Sequence, residues 1–117
     1  MKRGKPRLAD YLDHMLEAIE RIERYTKGMT SVAFAQSQLV QDAVIRNFEI
    51  LGEASRNLRQ EYPEFCESHP GLPLESAYGM RNALAHGYFA VDLAVVWNTI
   101  EHELPGLRGQ LQSIREE

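Results

Sequence analysis

A chain of 117 residues, 44% hydrophobic and 26% charged, has the size and balance of one globular domain, not of a disordered segment. Its formal net charge of -4 argues against a protein that coats nucleic acid, and no apolar run approaches the ~20 residues that cross a bilayer. A single cysteine, Cys66, excludes an internal disulfide and suits a reducing cytoplasm. The basic start, Met1 to Arg7, has no apolar segment behind it and does not read as a secretory signal. Lys2, Arg3, Lys5 and Arg7 cluster there without an acid, which suggests a flexible, solvated arm able to attract phosphate.

Leu8, Leu12, Met15, Ile19 and Ile22 recur at steps of four and three, one face of an amphipathic helix from about Pro6 to Tyr25, with Gly28 ending it. Thr30 or Ser31 can cap a short turn over Val32 to Gln36. The longest helix is expected over Ser37 to Gln60, with Val40, Val44, Phe48, Leu51 and Leu58 on its apolar face. Gly52 inside it costs about 1 kcal/mol against alanine, which close approach of another helix would explain. The apolar side of this helix is one candidate for a dimer interface.

Tyr62-Pro63 reads as a stop, and Pro63, Pro70, Gly71 and Pro73 as a connecting loop. A third helix is expected from Pro73 or Leu74 to about His86-Gly87, with Leu74, Ala77, Tyr78, Met80, Ala83 and Leu84 apolar. Asp92 looks like the cap of a fourth, carrying Leu93, Val96, Trp97 and Ile100; Pro105 punctuates it before a terminal piece with Leu107, Leu111 and Ile114. Only Tyr88 to Val91 reads as extended, too short to build a sheet. The expected architecture is all-α, an antiparallel bundle of four to five helices in a single domain.

Nucleotide-binding loops, the HExxH motif and Cys/His clusters are absent from the sequence. His14 and Glu17 stand one turn apart, but a solvated pair is far commoner than a metal site, and Cys66 has no neighbouring histidine motif. The stretch from Arg81 through His86 to Tyr88 is different. It concentrates Arg81, Asn82, His86 and Tyr88 among small and apolar residues. RNA self-cleavage needs a base for the 2′-OH, an acid for the 5′-oxygen and a cation near the phosphorane. Histidine serves the proton steps, arginine offers a fixed fork to phosphate, and tyrosine orients phosphate or stacks on a base. That chemistry requires no metal and no cofactor. Each of these residues also has a plainer reading, as a helix cap, a core histidine or a packing aromatic.

Spacing raises an obstacle. At ~100° per residue, Arg81 and His86 sit ~140° apart on one continuous helix. Either the helix unwinds around Gly87, or a two-fold dimer builds the site from both chains.

The R-x4-H-x-Y pattern at Arg81, His86 and Tyr88 resembles the signature of the HepT-like ribonucleases of the HEPN superfamily. "LVQDAVIRNFEILGEASRNL", Leu39 to Leu58, is similar to that family's long second helix, including its Gly-Glu-Ala element at Gly52, Glu53 and Ala54. "GMRNALAHGYFAVDLAVVWNTIEHELPGL" is similar to the stretch around and after its catalytic motif. The resemblance runs from roughly Leu8 to Leu111; Leu74 departs from it, standing where many relatives carry Trp.

This resemblance implies a dimeric helical bundle acting as the metal-independent endoribonuclease toxin of a type II or type VII toxin–antitoxin pair. Arg81 and His86 would be catalytic, and Asn82 would orient a neighbour. Tyr88 would position RNA and receive AMP from a minimal nucleotidyltransferase antitoxin of the MntA type. Glu53 could hold Arg81 by a charge-assisted hydrogen bond. Related helical domains include non-catalytic binders, so the alternative is a binding module that partners a nucleotidyltransferase.

Overall fold

The computed structural model describes residues 7–74, 77 and 92–116. The first helix, α1, is Leu8–Thr26, and its stripe of Leu12, Met15, Ile19 and Ile22 is buried throughout. Asp10 at its third position accepts a hydrogen bond of 3.0 Å from the Arg7 backbone N–H, fixing the first turn. The helix stops where Gly28 takes φ 78°, a left-handed conformation that glycine adopts without a Cβ clash. Lys2, Arg3 and Lys5 of the basic arm lie outside the described residues; Arg7 is the N-cap of α1.

Helix α2 is Ser31–Ala35, one turn capped by Thr30, whose hydroxyl accepts from the Ala33 N–H at 3.1 Å. Helix α3 is Gln38–Glu61, capped by Ser37. The two are joined by Gln41, whose buried amide donates to the carbonyls of Phe34 and Ala35 and satisfies the open end of α2. The expected helices thus appear within about two residues of their anticipated ends.

Pro63 does not open a loop. It stands at the start of a further helix, α4, Pro63–Ser68, where its missing N–H has no intrahelical partner to lose and its fixed φ suits the turn. Leu74 and Ala77, the described positions of the expected third helix, are helical and buried. Its remaining residues, and the Tyr88–Val91 stretch, lie outside the described residues. Helix α5 is Leu93–His102, and the Asp92 carboxylate accepts from the N–H groups of Ala94 and Val95, as anticipated. Helix α6 is Leu104–Arg115 and absorbs Pro105 into its first turn, so this proline begins a helix as Pro63 does.

α1 runs antiparallel to both α3 and α6. Tyr11 near its start meets Glu61 at the end of α3, while Met15 faces Ser55. Across the other side Asp13 pairs with Arg115 at 2.6 Å and Glu23 with Arg108 at 2.9 Å. Phe34 of α2 packs against Trp97 of α5, ring centroids 5.3 Å apart. The core is one cluster drawn from all the longer helices, including Phe48, Leu51, Leu58, Val96, Leu107 and Leu111. This is an all-α antiparallel bundle. Among the described residues there are six helices and no strand, the excess over four or five coming from the short α2 and α4. Val44, Phe48, Leu51, Ala54 and Leu58 are all covered inside the chain. Val40, Ile45 and Ile50 on the same helix are only partly buried. No helix of the described residues is long and apolar enough to cross a membrane.

The Tyr11 hydroxyl donates to the Glu61 carboxylate. This bond, aided by burial and the carboxylate's charge, raises the tyrosine to about 12. A folded value above the ordinary 10.0 means the contribution is complete below pH 10 and is lost as pH rises towards 12. Tyr11→Phe should cost about 1.5 kcal/mol at neutral pH, since hydrogen bonds to charged groups are the stronger kind. The gap between the two proteins should close in urea titrations repeated above pH 10.

Candidate functional site

Arg81, Asn82, His86 and Tyr88 lie outside the described residues. The structure gives the frame on either side of them. Ala77 is buried and lines a small, partly open hollow with Phe48 and Leu51 of α3, Thr99 of α5, and Leu104 and Leu107 of α6. On the far side, Asp92 fixes the chain's re-entry by capping α5.

Glu53, the remaining candidate, is described. It lies on α3 between two buried residues, Gly52 and Ala54, and its side chain is about half exposed. Its carboxylate stands 3.9 Å from the Arg56 guanidinium one turn on, a loose surface pair of little energetic weight. Glu53 also lines an open groove between α1 and α3, shared with Tyr11, His14, Arg46, Glu49 and Asn57.

Sequence reasoning does not single out that groove. Arg46, Glu49, Glu53 and Asn57 recur at helical steps of three and four, so their common stripe is visible in the chain. What the periodicity of α3 does not provide is the register against α1, which brings His14 opposite the stripe. Glu17, one turn from His14 along α1, is not among the groove's walls.

Cys66 is half-buried, and burial pushes its thiol up while the nearby Arg59 guanidinium pulls the other way. A thiol held protonated is a poor nucleophile. Among the described residues, no three histidine, cysteine or carboxylate side chains gather as a metal would need. Glu53 is a carboxylate able to accept from a guanidinium.

Comparison with known proteins bears on the Arg81–Tyr88 stretch. The family model described as ribonuclease HepT-like matches residues 15–114, the motif and both flanking segments included. The chain is 39% identical over 106 residues to the "Probable ribonuclease HepT" of Thermococcus cleftensis, covering 91% of this chain and 94% of that protein. It is 36% identical over 114 residues to a "Putative RNase" of Caldanaerobacter subterraneus subsp. tengcongensis, with 97% and 96% covered. A "Gamma-glutamylcyclotransferase and putative RNase" of Methanocaldococcus jannaschii is 43% identical over 107 residues; the match takes in 92% of this chain but 47% of that longer protein. No solved structure gives a match.

Proposed function

The chain belongs to the HepT-like ribonuclease family, and on that premise we propose that it is an endoribonuclease toxin whose cutting residues are Arg81 and His86. The observation that carries this reading is the family match across residues 15–114, which contains the R-x4-H-x-Y pattern in order between its expected neighbours. In the proposed reaction, the 2′-oxygen of the RNA attacks the adjacent phosphorus and the bond to the 5′-oxygen breaks. The products are a 2′,3′-cyclic phosphate and a 5′-hydroxyl. His86 moves the protons, from the attacking oxygen or to the leaving one. Arg81 faces the growing charge on the phosphorane, and Glu53 and Asn82 hold the reacting groups in place. The chemistry requires no metal. A homodimer in which each chain supplies part of the cleft overcomes the ~140° splay between Arg81 and His86. The experiment that tests the reading is incubation of the purified chain with total RNA, beside its His86→Ala variant.

Regulation by a partner is part of the proposal. A minimal nucleotidyltransferase antitoxin would present ATP to Tyr88. The phenol oxygen attacks the α-phosphorus, an O–P bond forms, the α–β bond breaks and pyrophosphate leaves. AMP on Tyr88 adds bulk and negative charge where an RNA phosphate must approach. Mass spectrometry of the chain after incubation with such an enzyme and ATP is expected to show the added AMP on Tyr88. Modification confined to other residues would defeat the switch.

A further inference from the structure

Among the described residues four large apolar side chains stay exposed: Tyr25 at 37%, Val32 at 63%, Leu39 at 81% and Val95 at 50%. They are not scattered. Tyr25 belongs to the last turn of α1, Val32 to α2, Leu39 to the first turn of α3 and Val95 to the first turn of α5. These turns meet at one end of the bundle. Because α1 and α3 run antiparallel, the end of α1 lies beside the start of α3. The Gln41 amide ties the first turns of α3 to the last carbonyls of α2, and Phe34 of α2 packs on Trp97 of α5.

Charge singles out the same end. In a chain with 26% charged residues, no side chain from Gly28 to Gln41 is ionisable, and none is from Leu93 to Ile100. Lys27 and Asp42 bound the first stretch, Asp92 and Glu101 the second, so the charges stand at the margins of a neutral surface. Between α2 and α5 runs a hollow of about 290 Å³ walled by Ala35, Leu93, Ala94 and Trp97, with Glu101 as its one carboxylate. It has room for an apolar side chain from outside. The side of α3 facing α1 differs: the partly buried Ile50 shares its groove with Arg46, Glu49 and Glu53.

Such a surface selects its occupant. Nucleic acid needs cations, and a charged peptide needs counter-charges; the two neutral stretches supply neither. A two-fold axis sets a surface against its own copy, where any charge near the axis would face itself. A neutral apolar surface is free of that repulsion. In a chain with a formal net charge of -4, it is the ground on which two copies approach at least electrostatic cost.

We propose that a second copy of this chain docks on this end of the bundle, with Val32, Leu39 and Val95 as the buried anchors. This gives a place to the homodimer of the ribonuclease reading; its use in cutting rests on that reading, and its location does not. The interface includes the start of α5, and Leu93 there stands seven residues after His86 in the chain.

Sedimentation equilibrium of the natural chain at micromolar concentration should show a dimer. Leu39→Asp and Val32→Asp should each raise its dissociation constant on the order of 10²-fold, because a two-fold contact loses the apolar side chain twice. Both positions are exposed in the single chain, so circular dichroism should match the natural protein. Arg46→Glu, in the α1–α3 groove, should leave the constant unchanged. Trp97, the chain's one tryptophan, lines the hollow, so acrylamide should quench it more readily as the natural dimer is diluted apart. A natural chain that stays monomeric at micromolar concentration would overturn the proposal. So would a dimer that neither aspartate weakens, or one lost only with Arg46→Glu. If the aspartate variants do not fold, equal quenching of Trp97 in monomer and dimer would overturn it. Cleavage is read on the same samples. A dimer that Leu39→Asp breaks, in a chain that never cuts RNA, removes the nuclease reading and keeps the interface. An active chain that is monomeric throughout does the reverse.

Discussion

His86→Ala is expected to lower RNA cleavage by a factor of about 10²–10⁴, the range lost when a positioned acid–base group is removed. The physical case is the scarcity of alternatives. Arginine stays charged and cannot shuttle protons near neutrality, and an unassisted tyrosine titrates far above it. Among the described histidines, His69 is engaged with the Phe65 ring and carbonyl, while His102 sits in the last turn of α5. His14 faces the α1–α3 groove. The ribonuclease reading assigns the proton steps to the imidazole of the R-x4-H-x-Y pattern, His86. The variant should keep the far-ultraviolet circular dichroism of the natural chain and still bind the uncleavable RNA. Ends mapped on the RNA should show the 2′,3′-cyclic phosphate only with the natural chain. Full cleavage by the variant, free of contaminating nuclease, would remove His86 from the mechanism.

Sequence periodicity delivers most of the bundle because burial in a helix is a local pattern. The stripe from Leu12 to Ile22 and that from Val44 to Leu58 are the faces that the structure buries. Caps are equally legible at Thr30 and Asp92, whose acceptors suit unpaired N–H groups and are used so, while Ser37, expected as the first residue of its helix, is the cap just before it. Pro105 separates α5 from α6 as its position suggests, and α3 ends before Pro63; what misleads is the loop expected after Pro63, because a proline is well tolerated in a helix's first turn and Pro63 opens one. A stop and a start differ only in the residues beyond the proline, and Glu64 to Ser68 has too short a pattern to reveal a helix. The groove around Glu53 is hidden for another reason. It joins residues from elements whose relative register is set by tertiary packing. For the motif the position is reversed. Its chemistry is legible from residue types, while the meeting of Arg81 with His86 is a three-dimensional question that spacing alone poses and does not answer.

Phe48→Ala should remove about 3–5 kcal/mol of stability, the usual result of deleting a buried aromatic ring. Phe48 is 1% exposed and borders the hollow that it shares with Ala77, Thr99, Leu104 and Leu107. It thus joins α3 to α5, α6 and the helical stretch that leads into the motif. The hollow beside it means that truncation enlarges an existing gap. A domain of this size has a stability of roughly 5–15 kcal/mol, so about a fifth or more would be lost. The thermal midpoint should fall by on the order of 10–20 °C. Phe48→Leu, which keeps most of the volume, should lose less than about 1.5 kcal/mol. Urea unfolding followed by circular dichroism measures both. A loss under about 1 kcal/mol for the alanine variant, with an unchanged denaturant slope, would mean that the ring does not join the helices as described. Because the same residue borders Ala77, cleavage by the alanine variant should decline at temperatures where the bundle is still largely folded. Phe48→Leu should retain activity in step with its stability.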